Sequence, residues 1–285
     1  MKKNYHRLFI ISLFCGAALL FDSGCSSLST SRLAANLSNA MLNQTDPEIV
    51  RHGAPAYLLL IDSFIAESPD DRDLLYAGAK LYGAYAGGLV SDPERRKNLT
   101  QKAMDYATQA YCQEQQAICE KADQPFEQFS AALEQAKDQE LSGLYIYGSS
   151  WAGWIQAHSD DWNAVADLAK AEALLLQVVN QDPGYEKGRA QLYLAVIRSQ
   201  IPPALGGKPE LGKQHFESAI NYSDNRDLMA KLEYARHYAR LVFDKTLHDR
   251  LLNEVLQADP VTEGFTLSNI IAQQQAKLLI QDDYF

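Results

Sequence analysis

The sequence predicts an all-α protein, a tetratricopeptide-like array of about eleven helices, and three observations carry that prediction. Helix-start signals recur: Asp46-Pro47-Glu48 and Asp92-Pro93-Glu94 each place an N-capping aspartate before a proline and an acid in the first turn. Apolar residues then fall on one face at helical spacing, as with Leu228, Leu232, Ala235, Ala239 and Val242, or Ala171, Leu174, Leu175 and Val178. No stretch alternates convincingly as a half-buried strand would; Leu144–Tyr147 comes nearest.

The first element is not part of the array. Lys2, Lys3 and Arg7 precede the uncharged apolar run Leu8–Phe21, 14 residues long. That is shorter than the ~20 residues a bilayer span needs and fits the apolar core of a signal peptide, residues 1–24. Asp22-Ser23-Gly24-Cys25 follows. Small residues before a cysteine resemble the lipobox of bacterial lipoproteins, in which the cysteine is acylated and becomes the new N-terminus. Asp22 departs from that motif, which usually carries leucine there. An ordinary signal peptide, or an uncleaved anchor with an incidental cysteine, is the alternative reading. Residues 25–32 are a polar, serine-rich tether, and Ser26, not being aspartate, favours the outer membrane.

The helical body is expected over 33–285, with helices near 33–43, 47–66, 71–87, 93–112, 125–137, 141–157, 161–180, 184–199, 209–221, 225–243 and 246–282, the last broken near Pro260. Lys208-Pro209-Glu210 starts a helix, and Ser68-Pro69, Asp182-Pro183 and Asp259-Pro260 end others. Asp182, Asp224 and Asp259 close three helices at separations of 42 and 35 residues. The longer interval contains the inserted loop Ile201–Gly207, whose removal restores the ~34-residue period of tetratricopeptide pairs. Such pairs bury their apolar faces by stacking and leave a concave surface for a partner. A non-repetitive helical bundle is the competing architecture.

Composition narrows the function. The chain has 285 residues, 47% hydrophobic, with a formal charge of −10. Cleavage before Cys25 would remove three positive charges and one negative, leaving a body at −12. An acidic protein lacks the basic face that nucleic acid requires, so no nucleic-acid partner is expected. Electrostatic adhesion to anionic lipid is disfavoured for the same reason. Cys112 and Cys119 remain in the body. A continuous helix would hold them ~10 Å apart, too far to bridge. They form a disulfide if the helix ends near Cys112, and stay free thiols otherwise.

Few residues promise chemistry. Tyr147, Trp151, Trp154 and His158 share one helical face at i, i+4, i+7 and i+11. With Trp162 and Tyr193 nearby in sequence, they either line a pocket for a partly apolar ligand or pack between helices as core. Gly148-Ser149-Ser150-Trp151-Ala152 superficially matches the nucleophile elbow of serine hydrolases, but that turn needs a strand before it. Six scattered histidines offer no metal spacing. No enzyme activity, metal or cofactor is expected.

A set of ordered blocks resembles the T component of tetratricopeptide-associated TRAP transporters, the TatT-like lipoproteins. The blocks are Asp46-Pro47-Glu48 with Gly53–Asp62, Leu81–Tyr85, Ser150–Ile155 followed by Asp161 and Ala166–Leu168, Pro202–Glu210 with His215-Phe216, Tyr238–Asp244, Leu251–Leu256 and Asp259-Pro260. The similarity runs from about Leu33 to Gln275. It implies a lipid-anchored accessory subunit facing the periplasm, trimeric as in that family. The implied partner is the transporter's periplasmic solute-binding protein, and the implied ligand a small organic, hydrophobic molecule held in a cleft or pore. A tetratricopeptide scaffold lipoprotein for envelope protein assembly is the alternative.

Overall fold

The computed structural model describes residues 36–136, 139–205 and 207–285. The expected signal peptide, Cys25 and the tether lie outside the described residues. Within them the secondary structure is helical, with no strand, so the fold class is all-α.

After a helical segment at 36–42, the chain forms α1 (Pro47–Glu67), α2 (Arg72–Leu89), α3 (Pro93–Cys112), α4 (Gln116–Cys119), α5 (Phe126–Gln135), α6 (Leu141–Ala157), α7 (Trp162–Ala166), α8 (Leu168–Gln181) and α9 (Tyr185–Arg198). A short 3₁₀ turn, Pro203–Leu205, leads to α10 (Pro209–Tyr222), α11 (Leu228–Glu233), α12 (Lys245–Gln257) and α13 (Thr266–Leu279). The capping signals act as expected: Asp46 accepts from the Glu48 amide and Asp92 from the Arg95 amide. Three differences from the expected elements have local causes. The span expected at 161–180 is split at Asp167, which closes α7 and precedes α8. The helix expected at 225–243 runs on from α11 as a π-helix, Tyr234–Ala239, whose wider turns keep the same apolar face inward. The last expected helix is two, because 258–265 leaves helical geometry around Pro260.

The helix α3 does end at Cys112, and the chain turns back through α4, so Cys112 and Cys119 come within 5.7 Å Cα to Cα and are bonded.

Helices pack largely on their neighbours in the chain: α1 on α2, α2 on α3, α8 on α9, α9 on α10. Three clusters of buried residues result. The largest joins α1 to α6, α8 and α9, the second joins α9 to α13, and the third joins α1, α2 and α3. Ile271 of α13 belongs to the third cluster, beside Val50 and Tyr82. Asn43 also accepts a hydrogen bond from the Gly264 amide at 2.8 Å. An open solenoid keeps its first and last units apart; here the last helix returns to the first.

Proline and polar side chains dock α1. Pro55 has no N–H for the Arg51 carbonyl one turn earlier, and the buried Tyr85 hydroxyl of α2 donates to that carbonyl at 3.1 Å instead. Asp62 accepts from Tyr82 at 2.8 Å, from Tyr106 at 2.7 Å and from Lys102. Burial would raise the Asp62 carboxyl, but those three donors outweigh it and hold it below its usual range.

Helix α6 sits at the centre, touched by α2, α3, α8 and α9. Its glycines make that crowding feasible. A Cβ on Gly143 would lie 2.7 Å from the Tyr76 hydroxyl, and one on Gly148 would lie 3.1 Å from Leu174 Cβ. At Gly153, further along the helix, a Cβ would meet nothing. Gly148→Ala should therefore destabilise the protein by about 1–3 kcal/mol through overpacking. Gly153→Ala should stabilise it by about 0.5–1 kcal/mol through helix propensity. Thermal denaturation of both variants, with opposite signs expected for their Tm shifts, checks the placement of α6.

Candidate functional site

The aromatic residues of α6 divide between its two sides. Tyr147 and Trp151 are core residues, 1% and 4% exposed. Tyr147 stacks on Tyr111 with ring centroids 4.7 Å apart, and Trp151 meets Phe129 edge-on at 5.7 Å. Burial raises both the Tyr111 and the Tyr147 hydroxyl well above the ordinary tyrosine value. Trp154 lies half-buried at the outer rim, donating to Gln101 at 2.6 Å and stacked on His158 at 4.5 Å. Trp162, on α7, is 85% exposed. Of the six aromatic and histidine residues singled out from the sequence, Tyr193 belongs to a second aromatic group. The six do not share one site.

That second group gathers around Tyr145, which precedes Tyr147 by two residues and so faces the other side of α6. Its ring meets Tyr185 edge-on at 5.5 Å and Tyr193 at 6.3 Å. Arg189, one turn before Tyr193, brings its Nε to 3.4 Å from the Asp227 carboxylate and its guanidinium to 5.5 Å from the centre of the Phe265 ring. Lys187 lies 4.9 Å from the same ring centre, and Glu186 lies 3.9 Å from Lys80 of α2. One small region thus draws side chains from α2, α6, α9, the start of α11 and the residue before α13.

An unusual backbone makes this convergence. At the start of α9, Glu186, Lys187 and Gly188 take φ of 50°, 57° and 82°. Three successive residues are therefore left-handed, and right-handed helix is established only from Arg189. Side-chain-bearing residues in that region cost on the order of 1 kcal/mol or more each. Gly188 is required twice over: by its φ, and because a Cβ there would stand 2.9 Å from Tyr222 Cβ and 3.2 Å from the Ala219 backbone of α10. Strain of this kind persists where the surroundings over-determine it, and such places cluster at binding sites.

The group is only partly buried. Tyr145, Arg189 and Tyr193 keep part of their surface accessible, yet protein encloses all three. Among the described residues the hydroxyls of Tyr145, Tyr185 and Tyr193 bond to no protein group, and none is sealed from solvent. Burial, with Tyr193 adding, pushes Tyr145 far above the ordinary tyrosine value. Burial also raises Tyr193, with Arg189 opposing, and raises Tyr185, with Glu186 adding. Burial would lower Arg189, but Asp227 together with Tyr145, Tyr193 and Glu186 outweighs it, so the guanidinium stays charged. The result is three neutral hydroxyls, one fixed cation and several aromatic faces gathered in one region. Such a lining suits a ligand with an apolar body and one acceptor or anionic group.

Nothing comparable supports catalysis at Ser150. Gly148, Ser149 and Ser150 lie inside continuous α6 helix, where Gly148 packs on Leu174 and Leu175. The strand-to-helix turn that exposes a nucleophile is missing at this position.

The sequence model of one protein family, described as TRAP transporter T-component, matches residues 43–285. The chain belongs to that family. No curated protein matches it. As a T-component it is an accessory component of a TRAP transporter, associated with the bacterial envelope, and the family is not one of known enzymes. The internal group of this T-component was only partly visible beforehand. Tyr193 was singled out, and Tyr145 and Tyr185 lie close in sequence, but Glu186, Arg189, Asp227 and Phe265 carried no motif. The available signal was Gly184 and Gly188 four residues apart at a helix start, a spacing that suits an unusual turn.

Asp227 is 4% exposed, and besides its ion pair it caps α11 by accepting from the Met229 amide. Arg189→Met should cost about 1–3 kcal/mol by leaving that carboxylate uncompensated. Arg189→Met combined with Asp227→Asn, which keeps a capping oxygen, should recover part of the loss. Urea denaturation of the two single variants and the double variant measures the coupling.

Proposed function

We propose that this T-component is the lipid-anchored accessory subunit of its TRAP transporter, held at Cys25 on the periplasmic face of the outer membrane. It works as a homotrimer of tetratricopeptide-like stacks, docks the transporter's periplasmic solute-binding protein, and holds a small organic ligand among Tyr145, Tyr185, Arg189 and Tyr193. The observation that carries the reading is this convergence of accessible yet enclosed aromatic and cationic groups within a T-component. The aromatic rings offer faces to an apolar body, and Arg189 offers the free edge of its guanidinium to an anionic group. Because the body is strongly acidic, an anionic ligand gains nothing from the long-range field, and recognition rests on these local groups. Of the pocket expected at Tyr147, Trp151, Trp154, His158, Trp162 and Tyr193, this reading keeps Tyr193 and places the ligand on the side of α6 that Tyr145 faces.

Anilinonaphthalenesulfonate, with an aromatic body and one anionic group, is a suitable probe. Tyr193→Ala should weaken its binding about tenfold, while Trp154→Ala and Trp162→Ala leave it unchanged, as measured by fluorescence titration. Co-elution of the purified solute-binding protein with the T-component tests the docking arm. Probe binding that depends on Trp154 instead of Tyr193 would overturn the site, and separate elution would overturn the partner.

A further inference from the structure

Helix α1 is an anomaly on the outside of the molecule. Among the described residues it is the one helix long and apolar enough to cross a membrane by length and composition, yet less than a quarter of its apolar stretch is buried. Leu59 is 72% exposed and Ile49 58%, and Gly53, Ala56, Leu60 and Ser63 are exposed with them. Residues 49, 53, 56, 60 and 63 fall at i, i+4, i+7, i+11 and i+14, a single continuous face. No charged residue occurs from Gly53 to Ile61. Glu48, His52 and Glu67 stay exposed toward the two ends of the helix, whereas the two charges nearest this stretch on the inner side, Arg51 and Asp62, are held by the protein. Arg51 donates to the Leu89 carbonyl at 3.2 Å and pairs with Glu48, and Asp62 is held by Tyr82, Tyr106 and Lys102.

The terminal helix of a stack ordinarily carries a polar outer face to stay soluble, and this one does not. It cannot cross a bilayer, because Val50, Ala54, Leu58 and Ile65 fix its other side in the protein. An apolar face that cannot span, on a helix lying flat on its domain, suits the plane of a lipid interface. Its place in the chain agrees. Asn36, the first described residue, follows Cys25 by eleven positions, which confines it to within about 40 Å of a lipidated Cys25. The acidity of the body means that the contact must be apolar and not electrostatic.

We infer that the outer face of α1, centred on Ile49, Ala56, Leu59 and Leu60, rests in the lipid interface beside the anchor. This lays the body against the membrane with a fixed side toward it, where a bare tether would leave it free to turn. The inference rests on the anchored reading of the proposed function, and the experiment separates the two.

Full-length protein carrying Leu59→Cys, spin-labelled at that position, is reconstituted into phosphatidylethanolamine–phosphatidylglycerol vesicles, with Trp162→Cys as the exposed control. Relaxation by oxygen, which concentrates in lipid, and by a water-soluble nickel chelate reports the surroundings of each label. On vesicles, the label at Leu59 should lose its nickel relaxation and gain oxygen relaxation, and the label at Trp162 should keep its nickel relaxation. Nickel relaxation at Leu59 that persists on vesicles overturns the inference. So does nickel relaxation already absent without vesicles, which would mean that a second copy of the chain covers the face. Mass spectrometry of the Cys25 peptide reports acylation independently, so an unmodified cysteine would refute the anchor without deciding the fate of α1.

Discussion

The fold depends on how closely helix α6 is surrounded. Helices α2, α3, α8 and α9 pack closely on it, and two of those approaches run over Gly143 and Gly148, where any side chain would meet Tyr76 or Leu174 at 3.1 Å or less. Close packing of this kind leaves a helix few choices of rotation. With Tyr147 and Trp151 committed to the core against Tyr111 and Phe129, Tyr145 has to face the other way. The functional side of the molecule is thus set by the packing of the structural side. The same helix supplies the largest core cluster and one wall of the internal aromatic group.

The second wall comes from α9, and there the means is strain instead of packing. Three left-handed residues before Arg189 re-aim the start of the helix, so that Tyr185 and Glu186 lie beside Tyr145 and Lys80 rather than continuing a regular turn. At Gly188 the close approach of α10 leaves no room for a Cβ. Asp227 then fixes Arg189 from the start of α11 while leaving its outer nitrogens free among the described residues. The return of α13 to α1, through Ile271 and the Asn43–Gly264 bond, brings the first and last helices of the described residues together, and Phe265 lies beside Arg189 and Lys187. Closure and site are therefore linked, because Phe265 adjoins the segment that makes the return.

Much of this fold was legible in the sequence because its punctuation is local. The Asp-Pro starts of α1 and α3 and the span of α6 depend on capping and periodicity, which act within a few residues. The split at Asp167 and the π-helix at Tyr234–Ala239 were not legible, since both keep the apolar spacing of an ordinary helix. The site was harder still. An aromatic stripe announces that its residues share a face, but not whether that face meets core or cavity, and for Tyr147 and Trp151 it met core. Arg189, Asp227 and Phe265 are joined only by tertiary contacts between positions far apart in the chain, so no local pattern marked them. The membership of the T-component family was carried by ordered blocks along most of the chain, which is a global signal, and residues 43–285 bear it.

A structure of the protein bound to anilinonaphthalenesulfonate tests the central claim most directly. The account predicts density between Tyr145, Tyr185 and Tyr193, with the sulfonate within hydrogen-bond distance of the Arg189 guanidinium. Density at the rim formed by Trp154 and His158, with the Tyr145 group empty, would contradict it.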